Sequence, residues 1–500
     1  MIKPRSYPHT ARLATFPLGG IGTGTLSIGA NGALCDAEFY NTPNKGHKPP
    51  FSFFAVRASL PDGKADARVL EAGQPPDYDR SKGWHPGLIM DLPRMNASSM
   101  AVRYPLRVRN RAFTPFIPLQ ADDSGLPMAA FDIFLENPTD RPVEALVAFS
   151  FPNLFGYAGG ESLDSRALPP GAHNQARRDP GCAGIYMDGE GIAREDLRYA
   201  NYALLALSGE AMVLPLWYRG GWSDGIRAFW RDFVAGDVAP SMVQEEKGSL
   251  LGARGHAVGS VLQRFRLAPG EHATASFMLA WYVPNRPKGW TIPQAGGTVR
   301  NHYATLFADA WDVARYFVRH RERLTGMSLR FADALYASAL PEPLVDALAA
   351  NLAILRSNTC FRLEDGSFLG WEGCHAQQGS CPGTCTHVWN YAQAAAFLFP
   401  ELERSARRNE FLREVEPDGK MCFRSYAVFG QEPDNMPSAV DGQLGTLVRL
   451  WREYCLCGDL DFLAGLWDGA VRAMDYVARH WDPQETGLIA GAGRPRPPRG

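Results

Sequence analysis

No run of apolar residues in this 500-residue sequence reaches the ~18 needed for a membrane-spanning helix. The opening segment, Met1 to Arg12, has no apolar stretch, so it does not read as a secretory signal. Excess charge is also missing. Lys and Arg number 51 against 53 Asp and Glu, a net charge of −2. That balance lacks the basic patch or tail of a nucleic-acid binder and the polybasic cluster of a membrane-surface protein. Cysteine is scarce and odd in number, nine in all, which excludes a disulfide scaffold and makes a cytoplasmic protein the expectation. Nucleotide motifs are absent as well. No P-loop occurs, and the glycines of Gly19–Gly20–Ile21–Gly22–Thr23–Gly24 do not fit G-x-G-x-x-G and have no helix pattern after them. That stretch reads as a tight β-turn.

What the chain has is 45% hydrophobic residues, enough to fold throughout, and a surplus of turn formers. Its 50 Gly and 38 Pro are roughly 18% of the sequence, against about 12% on average. They are scattered, which suits a large β-domain. Leu126–Leu135 and Val143–Phe151 are apolar runs separated by the turn-rich Glu136–Pro142, and Gln263–Tyr282 repeats the pattern around Pro269–Gly270. Several such pairs predict a β-sandwich. Past Pro284 the period changes. Asn301–Leu324 reads as one long helix, with Tyr303, Leu306, Phe307, Trp311, Ala314 and Phe317 as its apolar stripe. Further helices are expected at Glu342–Arg356, Val388–Phe399, Leu402–Glu414, Asp441–Cys455 and Phe462–His480. The expected fold class is therefore multidomain β plus α. A sandwich covers residues 1–290, a helical linker 291–335, an all-α domain 336–489, and a disordered tail 490–500. The tail, rich in Gly, Pro and Arg, can neither pack nor form a helix. It reads as a shifted reading frame or a truncated gene more than as an ordinary tail.

Chemistry concentrates in one stretch. Glu372 lies in Phe368–Leu369–Gly370–Trp371–Glu372–Gly373–Cys374, an aromatic, Gly-flanked loop ahead of an apolar helix. A ring beside a carboxylate suits a sugar site, because the ring stacks on the C–H face of a pyranose while the acid does chemistry. Taken alone, one Glu beside one Trp is more often an ordinary surface pair. Cys374, Cys381 and Cys385, with His375 and His387, could make a closed zinc site, yet no C-x2-C pair is present. No metal and no cofactor is expected.

Two separated blocks give these residues a context. Phe16–Pro17–Leu18–Gly19–Gly20–Ile21–Gly22–Thr23–Gly24, followed by Gly32–Ala33–Leu34–Cys35–Asp36, resembles the opening motifs of glycoside hydrolase family 116, the non-lysosomal glucosylceramidase type of β-glucosidase. Phe368–Gly373 resembles that family's nucleophile loop, and Thr386–Ala392 the helix start at its substrate site. Leu398–Glu403 resembles the segment that follows it, and Asp441–Leu444 together with Trp451–Tyr454 resembles one further helix of the family. The resemblance implies a sandwich followed by an (α/α)6 toroid and a retaining mechanism, in which two carboxylates about 5 Å apart act as nucleophile and acid/base. Glu372 matches the nucleophile. The family's acid/base lies in a T-Y-D motif after a stretch like Asp482–Ile489. No T-Y-D follows here, so the chain is expected to lack its proton donor and part of the toroid, leaving apolar helix faces uncovered.

Trp371, His387, Trp389, Asp441 and Gln443 are the candidate substrate-binding residues. At the position of His387 a relative with a lipid substrate carries Asp. The expected partner is a small glycoside or oligosaccharide. The alternatives are a non-catalytic carbohydrate-binding or interaction protein and, behind it, a zinc protein built on the Cys374–Cys385 cluster.

Overall fold

The structure is a computed structural model that describes residues 7, 11, 14–40, 42–72, 104–157, 171–218, 224–238, 257–287, 298–380, 384–388, 392–430 and 437–489. Residues 490–500, with the tail expectation, lie outside that set.

Two antiparallel sheets form the first half. One runs Arg107–Phe113, Met128–Glu136, His272–Tyr282, Asn201–Ala206, Cys182–Gly189, Ala172–Asp179 across its width. The other runs Met212–Leu214, Val258–Leu267, Val143–Pro152, Phe53–Ser59, Ala65–Val69. They face each other across an aromatic core. Phe54 stacks on Phe149 within one sheet at 4.2 Å between centroids, and meets Phe131 of the other at 4.9 Å and Phe277 at 6.1 Å. This is the expected sandwich.

Its two long apolar pairs are not hairpins. Met128–Glu136 and Val143–Pro152 belong to different sheets, as do Val258–Leu267 and His272–Tyr282. Each turn carries the chain from one sheet over to the other. Val143–Pro152 instead pairs with Val258–Leu267, and Met128–Glu136 with His272–Tyr282. Asn137 closes both corners at once, its amide donating to Arg141 O, Leu267 O and Ala268 O.

The central strands are apolar on both faces because both faces are covered. Phe131, Ile133 and Leu135 point into the sandwich, while Met128 and Ala130 face a helix over Ala310–Tyr336. That helix buries Trp311, Val313, Ala314, Phe317 and Leu324 against the six-stranded sheet. Asp309 caps it by accepting from the Asp312 N–H at 2.8 Å. The predicted helix over 301–324 thus begins nine residues later and runs to Tyr336, with a separate turn at Tyr303–Leu306. It serves as a cover of the sandwich, so its burial ties the expected linker to the first half. A helix the sequence did not suggest, Asp224–Ala235, covers the other sheet through Ile226, Phe229 and Phe233.

The second half is helical, with helices at Glu342–Leu352, Ala392–Leu398, Pro400–Asn409, Val440–Cys457 and Leu460–Trp481. Pro400–Asn409 continues through a wider π-type turn, Glu410–Glu414. Two short ladders interrupt the all-α expectation: Cys360–Arg362 with Phe368–Gly370, and Gly373–Cys374 with Gly379–Ser380. Among the described residues no helix is long and apolar enough to cross a membrane.

The halves are sutured at the Gly-rich turn, as its close contacts require. A side chain on Gly22, at φ +74°, would sit 2.7 Å from the Arg362 backbone nitrogen, and one on Gly20 2.4 Å from Gly125. Only glycine fits there. Across the same seam Arg362 donates to Asp122, and the His302 Nε2–H donates to the same carboxylate oxygen at 3.1 Å.

Candidate active site

Glu372 stands at the corner between the two short ladders, exposed on the surface. Its neighbours are pinned on every side. The Trp371 N–H donates to Thr359 O at 2.7 Å, and the Gly370 N–H to Thr384 Oγ1 at 3.0 Å. One step further back, the Phe368 N–H donates to Ser405 Oγ at 3.0 Å. On the other side the His375 N–H closes the turn onto Gln378 O at 2.7 Å. The backbone on either side of Glu372 is thus held in place, and the residue itself faces solvent.

Trp371 is not an open platform. It is 4% exposed and meets Phe361 edge-on at 5.0 Å, inside a cluster with Leu363, Leu369 and Phe429. Gly379 lies so close that a Cβ there would strike the indole ring. The ring anchors the loop from below, and the sugar-stacking expectation for Trp371 is corrected accordingly.

Gln443 is corrected for a related reason. It is 1% exposed, and its amide joins three backbone groups: it accepts from the Met421 N–H at 3.1 Å and donates to Gly419 O at 2.9 Å and Ala473 O at 2.8 Å. With the amide so committed, it ties two helices and a loop together and has no face toward a ligand.

His387 and Asp441 are both exposed and lie on touching segments. Gly442, next to Asp441, packs on Thr386 and the His387 backbone nitrogen; a Cβ would fall 2.1 Å from Thr386 Oγ1 and 3.0 Å from that nitrogen. The His387 ring lies 5.8 Å from that of Phe423. Because Thr384 holds Gly370, the 384–388 segment also borders the Glu372 loop. Glu372, His387 and Asp441 therefore sit on three successive neighbouring segments. Trp389 lies outside the described residues.

Beneath them runs a buried ionic network. Arg449 donates to Thr386 O at 2.7 Å, directly under His387, and faces Glu410 at 3.6 Å. Arg407 bridges Glu403 at 2.6 Å and Glu410 at 2.8 Å, and Arg452 reaches Glu403 at 2.7 Å. Arg404 pairs with Glu453 at 3.0 Å. The stretches Leu398–Glu403 and Trp451–Tyr454 noted in the sequence thus meet through Glu403–Arg452, and Arg404, next to the first of them, adds its pair with Glu453. Glu414, deep in the same region, is pushed up by burial, while the N–H groups of Tyr426, Ala427 and Val428 hold it back.

Of the cysteine cluster, Cys374 is exposed, Cys385 is buried, and Cys381 lies outside the described residues. Although Cys374 as a whole is exposed, partial desolvation of its thiol raises it above the ordinary thiol value, with Lys45 drawing it back.

Sequence reasoning passed over the acid that touches this site from the sandwich half. Glu38, at the end of strand Leu34–Glu38, is fully buried. It accepts from Thr25 Oγ1 at 3.1 Å, the Asn44 N–H at 2.8 Å, Lys45 Nζ at 3.0 Å and Asn358 Nδ2 at 2.9 Å. Burial raises its carboxyl above the usual range, with Lys45 and the Asn44 N–H drawing it back. Two acids alternating in Asp36–Ala37–Glu38, beside the aromatic Phe39–Tyr40, were the available signal.

Comparison with known proteins bears on the first half. The family model described as β-glucosidase 2, glycosyl-hydrolase family 116 N-terminal, matches residues 15–324. Among solved structures, a protein described as a kojibiose phosphorylase from the human microbiome is similar at 7% identity and a TM-score of 0.40, over 95% of this chain and 58% of its own. A polysaccharide lyase is similar at 10% identity and a TM-score of 0.27, over 94% of this chain and 69% of its own. The family GH92 α-mannosidase of Bacteroides thetaiotaomicron follows at 8% identity and a TM-score of 0.27, over 92% and 62%. The chain spans 58% of the length of the first of these.

Proposed function

Because the chain belongs to glycosyl hydrolase family 116, we propose that it is a retaining β-glycosidase of the β-glucosidase or glucosylceramidase kind, with Glu372 as its nucleophile. In this reading the helices after residue 336 are part of an (α/α)6 toroid. His387 and Asp441 hold sugar hydroxyls on the segments bordering the loop.

The observation that carries the reading is the Glu372 corner: an exposed carboxylate on a loop tied down at both ends, in a chain of this family. In the step assigned to it, a Glu372 oxygen bonds to the anomeric carbon while the bond from that carbon to the leaving oxygen breaks, the electron pair departing with the leaving group. An activated leaving group such as dinitrophenolate needs no proton, so the step can be followed without an acid partner.

Chemical rescue tests it. Glu372→Gly with a dinitrophenyl β-glucoside and azide should give the α-glucosyl azide, because azide occupies the space of the missing carboxylate and attacks the same face. Absence of the azide product, or its formation equally by a variant elsewhere in the loop, contradicts the assignment.

A further inference from the structure

We infer that Glu38 is a positioning residue for the Glu372 loop, supplied by the sandwich half to the chemistry of the helical half; the inference rests on Glu372 being the nucleophile.

The contacts close into a ring. From Glu38, Asn358 Nδ2 at 2.9 Å leads to Thr359, whose carbonyl accepts the Trp371 N–H at 2.7 Å. Trp371 precedes Glu372. Beyond Glu372 the hairpin reaches Ala376, whose carbonyl accepts the Lys45 N–H at 2.8 Å. Lys45 Nζ returns to Glu38 at 3.0 Å. Both arms that leave Glu38 therefore end on the loop, one on each side of the proposed nucleophile. The buried carboxylate is their common origin.

The ring has no slack at Glu38. Four donors from three segments converge on two oxygens: Thr25 from the neighbouring strand, Asn44 and Lys45 from the following loop, Asn358 from the helical half. The 44–46 loop is further held by Asp36, which accepts the Gly46 N–H at 2.7 Å. Charged acceptors make the stronger hydrogen bonds, and a buried donor that loses its partner carries the full cost of desolvation. An amide in place of the carboxylate cannot serve this set, since its nitrogen would face donors. The side of the ring that gives way is the exposed one, the Gly373–Ser380 hairpin, because the Glu38 side is packed inside the sandwich. Glu38 has no contact with solvent and so does not touch substrate; it acts through the loop.

The test uses Glu38→Gln in the full chain, with two readouts. Hydrogen exchange over residues 371–380 should speed up roughly tenfold or more, with the sandwich strands unchanged. Formation of a covalent adduct with a dinitrophenyl 2-deoxy-2-fluoro-β-glucoside, well below the melting temperature, should slow by roughly 10²-fold, the cost of misplacing a reacting atom by about 1 Å. A purely structural Glu38 would lower the melting temperature and leave the adduct rate of the folded protein alone; that result overturns the inference. Lys45→Met provides the second variant, since its side chain is 44% exposed and the sandwich does not depend on it. It should reproduce both effects in weaker form, and wild-type values for both overturn the inference even if Glu38→Gln fails to fold. Should the wild type form no adduct, the nucleophile reading falls and the positioning role with it, while faster exchange in the variants would still show the ring.

Discussion

The two halves of this molecule differ in how much connected charge they bury. The sandwich is held by rings and branched aliphatics, with Phe54, Phe131, Phe149 and Phe277 meeting at its centre and each central strand covered on both faces. The helical half buries charge: Glu403, Arg407, Glu410, Arg449 and Glu453 are each 4% exposed or less. Their outsides differ in the same sense. Large apolar residues stand alone on the sandwich surface, such as Leu119 and Leu197, whereas on the helices they form stripes. Trp467, Val471 and Met474 line one face of Leu460–Trp481 at helical spacing, and Val448 and Trp451 one face of Val440–Cys457. Among the described residues nothing covers these stripes. The sandwich half buries isolated acids such as Glu38 and Asp132 in a largely apolar interior, while the helical half sets a connected charged network between its apolar clusters and carries the exposed carboxylate.

The sharpest break of this comparison is in the sandwich core. Phe149→Ala should cost about 3–5 kcal/mol, because the aromatic packing around it cannot collapse into the space. Chemical denaturation that places the loss under ~1 kcal/mol would mean the core is not what holds this half. Next comes the charged interior. Glu403→Gln leaves Arg407 and Arg452 short of a charged acceptor and should cost about 1–3 kcal/mol. If the loss instead fell within ~0.5 kcal/mol, the network would not be holding the helices.

The apolar stripes give a different result. Trp451→Glu with Trp467→Glu should leave the melting temperature nearly unchanged and reduce concentration-dependent association in sedimentation. Equal association by the double variant and the wild type would remove the stripes as the cause.

The smallest effect is at the seam. Asp122 is drawn down to about 2, first by the hydrogen bond with His302 and then by Arg362. Since its folded value lies below the ordinary 3.8, its contribution is complete above about pH 4 and lost as pH falls through about 2. The Asp122 side chain is more than half exposed, so the contribution is under about 1 kcal/mol. The melting difference between wild type and Asp122→Asn should therefore shrink from about pH 5 to about pH 2.5. A constant difference contradicts this.

Periodicity made much of the fold legible. The apolar runs at 126–135 and 143–151 became strands Met128–Glu136 and Val143–Pro152, and the helices near 342, 402, 441 and 462 appear where their stripes begin. Pairing was not legible, because a turn between two apolar runs has the same composition whether the chain folds back within a sheet or crosses to the next. Asn137, which holds both crossings, looks like any turn residue. The short ladders around Glu372 contain too few residues to show a period.

At the site, residue type pointed to Glu372, but burial decided Trp371 and Gln443, and burial depends on partners far along the chain. Glu38 escaped for the same reason: its partner Asn358 is 320 positions away.

The measurement that tests the account most directly is a peptide map of the adduct formed by the wild-type chain with the dinitrophenyl 2-deoxy-2-fluoro-β-glucoside. The account expects one sugar per chain, attached at Glu372 and absent from Glu372→Gln. A sugar on another carboxylate, or an adduct that survives Glu372→Gln, would contradict it.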